Sequence, residues 1–528
     1  MTDRPAGWHA VWLALRAWRT AAVTLLSFSS GLPLGLVWIA IPTWLAQEGV
    51  DIKVIGLFTL AQAPWTFKFA WAPLMDRYSL PIPRLGRKLG WALATQVALL
   101  ALTFWLARLA LHPDAVWIIG TVSLAIAFAS ASQDIAIDAY AVEVLRPEEQ
   151  GVAVGARTAL YRAAMFTAGG LAITLAGLWS WPTVFAVLAV FYVPIFFVTV
   201  AAPKPDEAAA PAPRSLREAV WDPFVGFLGT HRAWEILAFV VLYKLADNLA
   251  GALVRPFLVQ VGFDNIDVGV ATATIGLIAT LAGTFLGGAL TTAIGLGHAL
   301  WIFGALQIVS NLGYVAVAMI GLNRPVMYSA MGFESLTTGM GTGAFGVLLL
   351  RMTQKRFSAT QYALFSSLFA LPRLLAGPVT GVLVDAIGWR DFFLFTMLVG
   401  IPGMIMLQRF TPLGSREPRL APDTAQRGKP LSPAALLARG MVGAVLAAAL
   451  AAFSAAALAG MKAVHKDPTA SFALLSRLGD VFTPETVGTW AQLAGIALFG
   501  VVVGLAVAAT AAARAGVKPR DERQRPVA

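Results

Sequence analysis

Runs of twenty or more mostly apolar residues recur along the whole chain, and nothing else in it restricts the fold as much. About 20 apolar residues carry a helix across the hydrocarbon core of a bilayer, and roughly fourteen such runs are present. Backbone amides in lipid have no water to bond, so each run must satisfy them internally as an α-helix. With 58% of its 528 residues hydrophobic and 13% charged, the chain lacks the polar surface of a soluble globule. An all-α polytopic membrane protein is predicted, and its function must reside in the polar groups its helices carry inward.

The runs fall at 20–46, 53–75, 91–110, 115–143, 153–177 and 181–201 (spans 1 to 6). They continue at 233–260, 267–293, 298–320, 326–352, 360–386 and 390–408 (spans 7 to 12), then at 435–460 and 486–513 (spans 13 and 14). Residues 1–19, with Trp8, Trp12 and Trp18, read as an interfacial segment. The first run is too long for a signal-peptide core and lacks a small-residue cleavage site, so it stays as span 1. In the connection 202–232, PKPDEAAAPAP is linker-like. Leu216, Val220, Phe224 and Phe227 then recur at helical spacing, which predicts a short amphipathic helix on the membrane surface. The expected organisation is two six-helix bundles, 20–201 and 233–408, a loop at 409–434, two further helices within 435–513, and a tail at 514–528.

A net charge of +11 would suggest a polyanion partner in a soluble protein. Here position explains it. With the N-terminus in the cytoplasm, about 26 of the Lys and Arg fall in inward loops and tails and about 6 in outward loops, the positive-inside bias. Both termini are then cytoplasmic and no nucleic acid is expected. The absence of cysteine excludes disulfides, thiolate metal sites, iron–sulfur clusters and cysteine nucleophiles. His9, His112, His231, His298 and His465 lie in loops or at span ends without ligand spacing, so no metal is expected.

The chain repeats itself. WLAQEGVDIKVIGL at 44–57 aligns with FLVQVGFDNIDVGV at 257–270, placing Leu45, Gln47, Gly49, Asp51 and Gly56 over Leu258, Gln260, Gly262, Asp264 and Gly269. Both copies occupy the turn between the first and second spans of a six-span group. Parallel six-span repeats with a central site between them describe the major facilitator architecture.

Ionisable groups inside a membrane are costly and mark functional sites by default. The candidates are Lys68 in span 2, Asp134 and Asp138 in span 4, Arg162 in span 5, Lys244 and Asp247 in span 7, Glu334 in span 10 and Arg373 in span 11. Asp134 and Asp138 share one helix face, as do Lys244 and Asp247. Gln62, Gln133, Asn248 and Asn311 add uncharged polar groups. Both charge signs suit a wet cavity for an anionic or zwitterionic solute, with carboxylates able to exchange protons. Competing readings stay open. Asp134 and Asp138 lie toward the basic loop Arg77, Arg84, Arg87, Lys88 and can belong to a gating cluster, while Lys244 and Asp247 can simply neutralise each other. Arg108, Arg157 and Arg255 lie nearer span ends and are expected to snorkel.

Gly341-Thr-Gly343-Ala-Phe-Gly346 matches a dinucleotide fingerprint only in letters, because no strand precedes it. Like Gly31-x3-Gly35, Gly283-x3-Gly287 and Gly377-x3-Gly381, it reads as close helix packing. Pro33, Pro64, Pro372 and Pro378 mark helices expected to bend. No Walker A sequence, nucleophile–base set or sizeable soluble output domain is evident. An enzyme, an ATP-driven pump and a receptor are therefore unsupported.

At these positions the chain resembles the AmpG-type muropeptide permeases of the major facilitator superfamily over roughly 20–410. The resemblance rests on SGLPLGL (30–36), GVDIKVIGLF (49–58), KFAWAPLMDRY (68–78), LGRKLGW (85–91) and SQDIAIDAYAVEVLRPEEQG (132–151). The second half adds YKLADNLAGALVRPFL (243–258), GMGTGAFGVLL (339–349) and KRFSATQYALFSSLFALPRLLAGPVTG (355–381). Asp76, Arg77, Gly86, Arg87 and Lys88 resemble the superfamily's signature gating loop, whereas Gly295 to His298 in the second half lacks that charge. The resemblance implies import of anhydro-muropeptides into the cytoplasm with protons, across the bacterial inner membrane, by a monomer without a cofactor. Lys68, Gln62, Gln133, Arg162, Lys244, Asn248 and Arg373 would then bind substrate. Asp134, Asp138, Asp247 and Glu334 would be candidates for proton coupling. A related transporter of acyl-CoA or siderophore is the alternative.

Overall fold

A computed structural model describes residues 7–51, 54–55, 58–80, 85–110, 112, 115–205, 212–228, 233–418, 431–466 and 471–515. Gly56, Arg84 and His231 fall outside the described residues, as do the side chains of Arg373, Pro372, Gly377, Pro378 and His465. Every regular element among the described residues is helical. Eleven described helices are long and apolar enough to cross a membrane, against the fourteen expected. They are Trp18–Gln47, Gly86–Leu109, Val116–Val144, Gln150–Ala176, Trp181–Ala201, Ala233–Val261, Asn265–Ile294, Leu296–Ile320, Leu383–Phe410, Pro433–Met461 and Gly488–Ala513.

Spans 2, 10 and 11 are the remaining three, and the first two have clear physical reasons. Span 2 is broken into short pieces, Phe58–Gln62, Ala63–Phe67, Lys68–Ala70 and Ala72–Arg77. Prolines at the start of two of these pieces (Pro64 and Pro73) remove backbone donors there. Span 10 is one helix, Arg324–Met352, but Glu334 and a run of Gly, Ser and Thr lower its apolarity. Span 11 opens the helical stretch Ser358–Phe410, which is two helices joined by a kink at Gly388, where φ is 75°.

The chain forms two compact units. The first comprises Met1–Ala219, Ala238–Gly377 and Ile387–Arg419, and so holds the first six-span half and most of the second. The second comprises Val220–Leu237, Pro378–Ala386 and Leu420–Ala528. Within the second, spans 13 and 14 pack through small residues: a Cβ on Gly504 would lie 2.9 Å from that of Ala444. Trp234 Nε1 also donates to Thr510 Oγ1 at 2.9 Å.

Inside the first unit the duplication is visible atom by atom. Trp181, opening span 6, donates its Nε1–H to Gln47 Oε1 at 2.9 Å. Trp389, opening span 12, donates to Gln260 Oε1 at 2.6 Å. Phe185 meets Trp44 edge-on at 5.5 Å, and Phe393 meets Phe257 edge-on at 4.9 Å. Gly49 and Gly262 both adopt positive φ, 78° and 109°, where a side chain would be strained. Residues 213 apart in the first spans thus do the same work at the same turn.

Close backbone approach ties the helices together. A Cβ on Gly35 would come within 2.8 Å of Gly169 N, so spans 1 and 5 meet at that glycine. Between the halves, a Cβ on Gly288 of span 8 would lie 2.7 Å from Gly155 Cα of span 5, and Val152 N donates to Thr292 Oγ1 at 3.1 Å. The face of this unit at which span 1 begins, here the N-terminal face, carries the ends of spans 2, 4, 6, 8, 10 and 12. The opposite face carries the paired Trp–Gln turns.

Candidate functional site

Span 4 is a regular helix, so Asp134 and Asp138 project from one side, one turn apart. Opposite them span 2 breaks at Lys68. Two indoles pin this broken segment to span 4: Trp65 Nε1 donates to Ser130 Oγ at 3.3 Å and Trp71 Nε1 to Ser132 Oγ at 3.1 Å. Lys68 Nζ consequently lies 3.3 Å from Asp138 Oδ2 and 4.0 Å from Asp134 Oδ2. Arg157 of span 5 donates its Nη2 to the other Asp138 oxygen. None of these side chains exceeds 13% exposure. Two cations and two carboxylates thus form a neutral, buried quartet, the arrangement that makes burial of charge tolerable.

The quartet borders a cavity of about 210 Å³ between the two halves. Ser27, Ser30, Thr158 and Tyr161 line it from the first half, with Thr342, Phe345, Tyr362 and Phe369 from the second. Arg157 therefore faces this chamber and does not snorkel. The helix begins at Gln150, so Arg157 stands about 10 Å inside it at 1.5 Å per residue. Asp138 is paired with both Lys68 and Arg157.

The second half holds its own cluster where span 7 interrupts at Lys244, a non-helical residue between Ala233–Leu242 and Leu245–Ala252. Lys244 Nζ donates to Asp247 Oδ2 at 2.8 Å, to Gln307 Oε1, and to Thr338 O at 3.3 Å. Thr338 Oγ1 donates to Glu334 Oε1 at 3.1 Å and lies 3.4 Å from Asp247 Oδ2. A single hydroxyl thus stands between the two carboxylates. Lys244 and Asp247 do neutralise each other, but Glu334 leaves the group one carboxylate in excess.

At the N-terminal face the halves are locked. Asp76, fully buried, pairs with Lys88 and accepts from Ala359 N at 3.2 Å, Thr360 N at 2.8 Å and Thr360 Oγ1 at 2.7 Å. A first-half carboxylate thus caps the start of a second-half helix, satisfying amides that would otherwise be orphaned. Glu143 accepts from Ser358 Oγ at 2.7 Å, and Arg351 reaches Gln150 Oε1 at 3.1 Å. The inter-half hydrogen bonds named here all lie at this face.

Other predicted residues fall elsewhere. Gln133 is fully buried and donates to Ser29 Oγ at 2.5 Å, joining span 4 to span 1. Asn248 Nδ2 donates to Lys244 O at 2.7 Å, bracing the break, and Asn311 Nδ2 to Thr396 Oγ1 at 3.1 Å. Gln62 and Arg162 are half-buried and outside the cavity lining described above. Arg77 lies over the Tyr78 ring at 5.5 Å, Arg87 is half-buried, and Gly86 takes a φ of 74° at the turn into span 3. Tyr161, Tyr362, Gln307 and Thr338 were not singled out by sequence reasoning, and Arg157 was read there as a snorkelling residue. The 157–161 spacing, one turn on a common face, was the available signal for Arg157 and Tyr161.

Two six-span halves of common ancestry around a buried ionic chamber define a membrane transporter of the alternating-bundle kind. The model of the Major Facilitator Superfamily matches residues 23–376. The chain is 42% identical over 391 residues to the anhydromuropeptide permease of Escherichia coli (strain K12), covering 74% of this chain and 79% of the relative. It is 29% identical over 398 residues to the putative transporter AmpG 4 of Rickettsia conorii, covering 74% and 96%. Among solved structures it resembles a bacterial homologue of the iron transporter ferroportin in an outward-facing state (TM-score 0.54, 14% identity, 74% and 98% covered). It also resembles the human organic anion transporter MFSD10 (TM-score 0.55, 13% identity, 74% and 99% covered). At those identities the structures speak for the fold alone. The chain belongs to the Major Facilitator Superfamily and, within it, to the AmpG-type muropeptide permeases; it is a multi-pass membrane transporter and not an enzyme.

Proposed function

We propose that the protein imports anhydro-muropeptides into the bacterial cytoplasm across the inner membrane, as a monomer, by proton-coupled alternating access. The kinship with a permease for these solutes supports the substrate class, and the neutral quartet at Lys68, Asp134, Asp138 and Arg157 is the observation that carries the mechanism. A substrate carboxylate entering the chamber competes with Asp138 for Lys68 and Arg157. Asp138 and Asp134, the carboxylates so displaced from their cations, are the candidates assigned to proton coupling in this half. Arg162, Arg373, Lys244, Gln62, Gln133 and Asn248 are assigned to the rest of a large, hydroxyl-rich solute. Asp247 and Glu334, sharing Thr338, form a second candidate proton site.

The chamber is smaller than the roughly 300–1,000 Å³ of a typical small-molecule site. The solute must therefore widen it, and closure at the N-terminal face leaves the opposite side as the route of entry. The positive-inside bias supports a cytoplasmic closed face, with both termini there. The test is uptake of labelled anhydro-muropeptide by proteoliposomes. An inward proton gradient should drive accumulation, and unchanged accumulation after a protonophore would reject the coupling.

A further inference from the structure

The short helix Trp8–Arg16 precedes span 1 and leaves it at Ala17, whose ψ of 127° breaks the helix. Its apolar residues are arranged the wrong way round for a helix in water. Small side chains face the protein: Ala10, Val11 and Ala14 are buried. The large ones face away, with Trp8 67%, Trp12 52% and Leu15 42% exposed. A face of this kind suits lipid, and aromatic rings favour the headgroup boundary. Arg16 lies over the Trp12 ring at 4.4 Å, placing a cation at the same edge.

The buried face is equally informative. Val11 and Ala14 form one apolar cluster with Val152 of span 5 and Ala289 of span 8, with Ala293 packed against it. Span 5 belongs to the first half and span 8 to the second. The helix therefore lies across the seam between the halves, at the level where Val152 N bonds Thr292 Oγ1. Trp18 Nε1 fastens its root to Ala201 O at 3.1 Å.

We propose that Trp8–Arg16 is a lipid-anchored strap that holds the N-terminal face shut. Separating spans 5 and 8 exposes the apolar groups of Val11 and Ala14 on one side, so the strap favours the closed arrangement. Its aromatic rim, immersed in the headgroup boundary of the bilayer, keeps it from following either half. The proposal takes from the functional reading only that the halves part at this face.

The test is double electron–electron resonance on the full chain in nanodiscs, with spin labels at Glu148→Cys and Lys355→Cys. The native absence of cysteine makes this pair the sole attachment site. Val11→Asp, which charges the seam, should raise the long-distance population at least threefold. Trp8→Ser with Trp12→Ser, which leaves the packed face intact, should raise it in the same direction. Two populations in the parent, unchanged by either variant, would overturn the strap. A response to Val11→Asp alone would overturn the lipid anchor. A single short distance in the parent under all conditions would instead reject alternating access itself.

Discussion

Replacing Asp138 with Asn is the most searching perturbation of the quartet. Asp138 is paired with both Lys68 and Arg157, and all three side chains are at most 13% exposed. Lys68 retains Asp134 at 4.0 Å, but Arg157 loses the carboxylate that accepts its Nη2. Removing one partner of a buried pair costs about 3–5 kcal/mol, because the remaining charge stays buried without compensation. The partial support left to Lys68 puts the expected loss near the lower end, about 3 kcal/mol. Removing Arg157 as well, as Asp138→Asn with Arg157→Met, deletes both charges and should recover roughly 1–3 kcal/mol of that loss. The assay is reversible denaturant unfolding of purified protein in mixed micelles, read as a double-mutant cycle. Uptake measured alongside should fall for the single and double variants alike, which separates folding from transport. A single-variant loss below about 1 kcal/mol, or a double variant no more stable than the single, would show that the quartet does not hold the chamber as described.

Asp76→Ala should remove the cap on the helix beginning at Ser358 and strand Lys88, costing roughly 2–3 kcal/mol at the N-terminal face. Hydrogen exchange of the Ala359 and Thr360 amides should accelerate accordingly. Gly288→Ala places a Cβ 2.7 Å from Gly155 Cα and should disfavour the closed face by roughly 1–3 kcal/mol. Modification of a cysteine at Thr292 by an impermeant maleimide should then quicken in inside-out vesicles. Gln47→Leu and Gln260→Leu each orphan a tryptophan Nε1–H. Each should cost about 1 kcal/mol, and the two effects should add within about 0.5 kcal/mol because the sites lie in separate halves; thermal unfolding of the singles and the double checks this.

Much of this is legible in the amino-acid sequence. Hydropathy alone dictates helices, and the Gln47/Gln260 and Gly49/Gly262 matches announced a duplication that the two Trp–Gln bonds express. Helical spacing put Asp134 with Asp138 and Lys244 with Asp247. Three things were hidden, each for a physical reason. Arg157 looked superficial because its depth depends on where span 5 starts, and that boundary is blurred in an apolar run. The breaks at Lys68 and Lys244 leave no mark in a hydropathy profile. The backbone amides that donate to Asp76 lie 283 and 284 positions away, a distance local pattern cannot bridge.

The central claim is that the halves enclose a charged chamber reached from one side at a time. A single cysteine at Thr158, on the chamber wall, tests it directly with a membrane-impermeant thiol reagent in oriented vesicles. Modification is expected from the outer side, slowed by saturating anhydro-muropeptide. Silence from both sides, or a rate indifferent to the solute, would contradict it.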